Sequence, residues 1–386
     1  MNKNRSLFFN TSLIYFVVIL CFVGFRIFSS LVKVGSGVSE ILNIMIQVVF
    51  MFAVPFFMYK IMYKKSSKQV FKDFNVKPLG VKAVLLTILI GFIVYFLNLA
   101  VASFFNIFIY GTGYDPSFGM SSAGTSYPLA LFLIDIVTTA ILPGFCEEFC
   151  HRGLLVNGYK QLGVKKTILL VGLLFGLMHL NVEQFFYATV IGMFLTFLVY
   201  VTGSIVPSMI VHFMNNFMGL YMTFAYYNKL PLGSFSNNLA NSIANTSPFV
   251  AFIAIVFVVI IMLGLLAFLV FKLMQSTRVK QFEKLAKMAI DKKQREQLFK
   301  EFNLDAKEID KQDGKQENNN MPEVVFDDKI RPDGRQGVIV DINFTNNMLE
   351  GEYSIKKPSI KDKMFLYGTI VIGVMITIFT LIWGLL

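Results

Sequence analysis

Two adjacent carboxylates, a histidine and an arginine fall within one stretch, Pro143-Gly-Phe-Cys-Glu-Glu-Phe-Cys-His-Arg152. The stretch ends an apolar run that begins at Pro128, and apolar residues resume at Leu154. Ionisable groups inside an apolar span are costly, so by default they mark a functional site. Glu147 and His151 are four apart, as are Glu148 and Arg152, so each pair shares a helix face. Further on, His179 follows Phe175 by four residues, and Asn216 follows His212 by four. A carboxylate beside histidines can take a proton from water as a general base. A histidine and an asparagine one turn apart can donate hydrogen bonds to a developing oxyanion. Together these groups fit water attack on an amide carbonyl. No Gly-x-Ser-x-Gly elbow is present, which disfavours a serine hydrolase, and no His-Glu-x-x-His zinc-protease helix is present.

Plainer readings stand beside these. Glu148 and Arg152 can be a buried ion pair that holds the carboxylate ionised. Phe175 can be packing around the site, and His151 a bystander. Glu148-x-x-His151 has the spacing of half a di-iron site, but a second such pair is missing. Asn98 and Asp135 read as interhelical hydrogen-bond partners. Glu183 reads as marking a turn. Cys21, Cys146 and Cys150 all lie in apolar segments, which disfavours a disulfide framework, and Cys146 and Cys150, four apart, read as buried thiols and not as a zinc site.

The elements that carry these residues are membrane helices. The chain has 386 residues and is 55% hydrophobic; its mean hydropathy is +0.62. Soluble domains are not this apolar, and runs of about 20 apolar residues indicate a polytopic membrane protein. Apolar segments fall at 11–32, 38–59, 81–110, 128–156, 167–180, 182–201, 205–226, 248–271 and 364–386. The expected fold is an all-α transmembrane bundle of eight or nine helices, with a polar cytoplasmic insertion before the last helix. The first segment has no small-residue cleavage site, so it reads as a membrane helix and not as a signal peptide. The fifth is expected to be short and to turn inside the protein, because 168–201 is too brief for two full spans.

Loop charge orients the bundle. Lys60, Lys64, Lys65, Lys68, Lys72 and Lys77 follow the second segment, Lys160, Lys165 and Lys166 the fourth, and Arg278, Lys280, Lys284 and Lys287 the eighth. The loops at 111–127 and 228–247 are rich in Gly, Ser and Asn and almost free of positive charge. The positive-inside rule then places the N-terminus and the basic loops in the cytoplasm. The net charge of +11 is therefore loop charge, and no basic patch with interleaved aromatics suggests a nucleic-acid partner. Counted along the helices, Glu147, His179, His212 and Asn216 lie about 12–18 Å from the cytoplasmic boundary, a depth they can share.

The expected division is 1–80 for the first helices and the basic loop, 81–226 for the catalytic core, and 227–272 for an outer loop and the eighth helix. The remainder is 273–363, a charged cytoplasmic insertion, and 364–386, a further helix. In the insertion, 278–302 has helical character, 312–320 is disorder-like, and 337–344 is β-like.

Glu147-Glu148-x-x-x-Arg152, Phe175-x-x-x-His179 and His212-x-x-x-Asn216, in that order on successive membrane helices, resemble the CPBP (Abi) intramembrane proteases. That family includes the type II CAAX prenyl endopeptidases. The resemblance covers roughly 80–226. It implies a metal-independent glutamate endopeptidase with no cofactor, acting on a membrane-associated peptide or protein in the lipid bilayer. Under it, Glu147 is the base assisted by His179, and His212 with Asn216 forms the oxyanion site. Glu148, Arg152 and Phe175 would shape the site or contact substrate. Two other readings remain: a non-catalytic peptide-binding or bacteriocin-immunity protein, and a metal-dependent hydrolase using Glu147, His179 and His212 as ligands. The composition suggests a bacterial cell membrane.

Overall fold

The computed structural model describes residues 6–31, 41–42, 44–115, 126–233, 247, 250, 253–277, 325–330, 336–339 and 358–385. The chain divides into two units, Met1–Met274 together with Ile355–Leu386, and Gln275–Ser354.

The first unit is built from helices. They are α1 (Leu7–Leu31), α2 (Ile46–Met62), α3 (Ser67–Asp73), α4 (Val81–Tyr110) and α5 (Leu129–Leu162). After them come α6 (Val164–Met178), α7 (Val182–Thr202), α8 (Val206–Tyr227), α9 (Ile253–Thr277) and α10 (Ile360–Leu385). Among the described residues, six helices are long and apolar enough to cross a membrane, or seven if the bent pair α2–α3 counts as one span. The protein is an all-α polytopic bundle and an integral membrane protein. The fifth apolar segment forms a short helix, as expected: α6 has 15 residues. It turns into α7 through Leu180, whose φ of 52° lies in the left-handed region.

Eight helices close a ring. α1 packs on α2, α2 on α5, α5 on α8, and α8 on α4. Then α4 packs on α7, α7 on α6, α6 on α10, and α10 back on α1. The α6–α7 approach depends on small residues. A Cβ at Gly172 would stand 2.8 Å from the Met193 backbone nitrogen, and one at Gly192 would stand 3.1 Å from Gly172 Cα. Glycine lets backbones meet this closely, and without a hydrophobic force between helices in lipid such contact supplies much of the association. α9 leans on the outside of α7, where Leu263, Leu266 and Val270 meet Phe194, Phe197 and Val201.

The basic end of the bundle is tied by polar contacts. α3, absent from the sequence reading, begins with a capping box in which Ser66 and Gln69 satisfy each other's backbone N–H groups. Tyr59 donates to Asp73, which also pairs with Lys65 at 3.3 Å. The α7–α8 turn sits on the same loop: Ser204 Oγ donates to the Lys77 carbonyl and Ile205 N–H to the Asn75 carbonyl.

In the second unit, Val325–Ile330 and Gln336–Ile339 pair antiparallel, with Val325 opposite Ile339 and Phe326 opposite Val338. The β-like reading at 337–344 meets its second strand at 337–339. The remainder of that run, the helical reading of 278–302 and the disorder-like 312–320 lie outside the described residues.

Candidate active site

α5 is not a uniform helix. Wider π-helical turns at Ile136–Ile141 and Phe149–Leu155 bracket the α-helical Leu142–Glu148. Such turns recur at functional sites, because they re-aim side chains without ending the helix. Here they lie on both sides of the paired glutamates. Pro143 has no N–H to give the Thr139 carbonyl four residues back. Asn216 Nδ2 on α8 donates to that carbonyl at 2.9 Å, so a donor missing from one helix is replaced from its neighbour.

The two glutamates have different environments. Glu147 faces a cavity of about 650 Å³. Its Oε1 accepts from Gln47 Nε2 at 2.8 Å, and its Oε2 lies 4.0 Å from His212 Nε2. Glu148 points away from the cavity and is fully buried. Its Oε1 accepts from Arg152 Nη1 at 2.7 Å and from His212 Nδ1 at 2.8 Å. Arg152, also fully buried, donates from Nη2 to the Gly192 carbonyl at 2.9 Å and lies over the Phe175 ring at 4.5 Å. This one side chain joins α5, α6 and α7.

Each histidine is oriented through Nδ1. α6 ends at Met178, so the carbonyls of its last turn lack helical partners. His179 Nδ1–H meets one of them, donating to the Phe175 carbonyl at 2.8 Å. His151 Nδ1–H donates to the Glu147 carbonyl at 2.8 Å, and its Nε2 contacts the Tyr15 hydroxyl at 2.9 Å. His212 Nδ1–H donates to Glu148. With Nδ1 occupied as a donor, the neutral ring keeps a lone pair on Nε2. The Nε2 atoms of His179 and His212 are thus left for the cavity, on whose wall both residues lie.

Phe175 is the hub. Its ring centroid is 5.1 Å from that of His151, 5.0 Å from His179 and 5.6 Å from His212, each edge-to-face. Such contacts fix ring planes that hydrogen bonds alone leave free to tilt.

Five of the seven motif residues, Glu147, Phe175, His179, His212 and Asn216, line the wall of one cavity. Glu148 and Arg152 lie behind that wall, without surface in the cavity. His151 is not a bystander: it holds the backbone of Glu147 and anchors Tyr15 of α1. Asn98 does bond across helices, from Nδ2 to Asn215 Oδ1 at 3.2 Å. Asp135 instead accepts from Tyr127, just ahead of its own helix. Cys146 and Cys150 are buried free thiols. Among the described residues, no three His, Cys, Asp or Glu side chains are grouped to hold a metal ion.

Sequence reasoning missed Gln47 and Tyr15, whose partners lie about a hundred or more residues away and leave no local signal. It also passed over Gly172-x-x-x-Gly176, a small-residue spacing that is legible and marks the α6 face packed on α7.

No curated protein and no solved structure matches this chain. Residues 129–218, from the start of α5 into α8, match the family model described as Type II CAAX prenyl endopeptidase Rce1-like. That stretch contains Glu147, Glu148, Arg152, Phe175, His179, His212 and Asn216, so all seven lie in a domain similar to a family of CAAX-type proteases.

Proposed function

We propose that the protein is an intramembrane glutamate endopeptidase, and that it hydrolyses a peptide bond of a membrane-associated peptide or protein without a metal. One observation carries this reading: Glu147, His179 and His212 line the same cavity, within the segment that matches the protease family. Water held between Glu147 and His179 Nε2 gives its proton to the Glu147 carboxylate as its oxygen attacks the carbonyl carbon. The carbonyl oxygen takes up negative charge, and the Asn216 amide N–H stabilises it; His212 joins as a donor when Nε2 also carries a proton. The C–N bond then breaks, and Glu147 returns the proton to the leaving nitrogen. Glu148 and Arg152 are positioning residues in this scheme, because they reach the reacting groups only through His212 and Phe175. The enzyme works in a cell membrane, with the N-terminus and basic loops on the cytoplasmic face.

The test is cleavage of a peptide panel by the full chain in membranes, comparing wild type with Glu147→Gln, with and without a metal chelator. The expected result is cleavage that survives chelation and is lost in Glu147→Gln. Cleavage abolished by the chelator would turn Glu147, His179 and His212 into metal ligands. Peptide binding that persists in Glu147→Gln, with no cleavage by either protein, would make the protein a binding or immunity factor.

A further inference from the structure

The cavity is not placed symmetrically in the bundle. α1 leads away from the basic N-terminus, and it lines the cavity with Phe22 and Arg26, late in its length. α2 leads into the lysine-rich loop, and it contributes Gln47, at its start. α7 runs down to Gly203, beside that same loop, and it contributes Gln184, in its first turn. α1, α2, α4 and α6 thus line the cavity from the half remote from Lys60–Lys77 and Lys160–Lys166, while α7 lines it from Gln184 to Leu195 and α8 from His212 to Leu220. The floor is Glu147 and His212, and α8 continues the wall upward to Gly219 and Leu220.

We infer that the cavity takes its substrate from the membrane face opposite the basic loops, and that the substrate is a peptide segment exposed on that face. This rests on the protease reading for what happens at the floor. By the positive-inside rule the opposite face is extracytoplasmic. A lipidated C-terminus presented from the cytoplasm would meet the closed end, where the α7–α8 turn is bonded to the loop at Asn75 and Lys77. The eight residues from His212 to Leu220 rise about 12 Å along the helix. An extended chain climbs about 3.3 Å per residue, so about four residues span the stretch of cavity that α8 lines. The segment therefore enters extended and locally unfolded. Amide side chains at Gln47, Gln184 and Asn98 are suited to the peptide groups of such a strand.

Thiol labelling tests the sidedness without any need for cleavage. A Cβ at Gly219 meets no heavy atom within 4 Å, so Gly219→Cys has room. In a Cys21→Ser background, Gly219→Cys, Leu220→Cys and the control Lys160→Cys are treated with a membrane-impermeant maleimide. Right-side-out and inverted vesicles are compared. The expected result is labelling of Gly219→Cys and Leu220→Cys in right-side-out vesicles only, and of Lys160→Cys in inverted vesicles only. Labelling of the two cavity positions from the same side as Lys160→Cys, or from neither side, overturns the inference whatever the protease assay gives. If the cavity positions label as expected while no peptide is cleaved, the sidedness holds and the protease reading is what fails. Two cavity positions guard against one variant failing to fold.

Discussion

Removing Arg152 tests how the site is held. Its guanidinium bonds Glu148 Oε1 at 2.7 Å and the Gly192 carbonyl at 2.9 Å, and lies over Phe175 at 4.5 Å. In Arg152→Leu the Gly192 carbonyl keeps a partner, because Thr196 Oγ1 donates to it at 2.8 Å. Leucine fills much of the volume. The loss therefore concentrates on Glu148, a fully buried carboxylate left with His212 Nδ1–H alone. Breaking a buried pair by removing one partner costs about 3–5 kcal/mol. At about 1.4 kcal/mol per factor of ten, the unfolded fraction rises roughly a hundredfold to a few thousandfold. The assay is reversible unfolding of the full chain in mixed micelles, followed by helical signal. The double variant Glu148→Gln/Arg152→Leu removes the stranded charge and is expected to recover more than half of the loss, since neutral replacement of a buried pair is often close to neutral. A single variant within about 1 kcal/mol of wild type would refute this account of Arg152. So would a double variant as unstable as the single.

Three further outcomes follow from the geometry. Gln47→Leu deletes a hydrogen bond to a charged group, worth about 1.5–3 kcal/mol, and is expected to lower kcat/KM for peptide cleavage roughly ten- to hundredfold, with folding retained by circular dichroism. Tyr15→Phe removes the hydroxyl at His151 Nε2, and a fall in micelle stability of about 1–2 kcal/mol is expected from the same unfolding titration. Gly172→Ala drives a Cβ to 2.8 Å from backbone of α7, so an overpacking loss of about 1–3 kcal/mol is expected, together with lower activity as Phe175 shifts.

The motif residues were legible because helical spacing is rigid. Glu148 and Arg152, or His212 and Asn216, must share a face wherever the helix goes, and apolar length alone announced the helices. Lateral convergence was not legible. It depends on the ring order of the helices and on contacts such as Gln47 to Glu147, which no local pattern records. The π-helical turns of α5 were equally hidden, since only Pro143 hints at a break in that helix. The role of His151 was misread because its partners are a backbone carbonyl and a tyrosine on α1. α3 was overlooked because a seven-residue helix with a polar cap reads as loop, although Ser66-x-x-Gln69 is a capping box in plain view.

α10 bears on when the protein becomes competent during its own synthesis. It closes the ring between α1 and α6, and its Thr380 Oγ1 accepts from the Val182 N–H beside the His179 turn. Gly373 lets it approach until a Cβ would stand 2.9 Å from Leu177 Cβ. Yet the segment 203–359 leaves the ribosome between α7 and α10. At about 5–20 residues per second, that is roughly 10–30 s in which Glu147, His179 and His212 have all been made but the turn carrying His179 is unclamped. Until α10 inserts, a nascent chain therefore lacks this clamp on the turn that carries His179, and any activity that depends on the placing of that turn waits for α10.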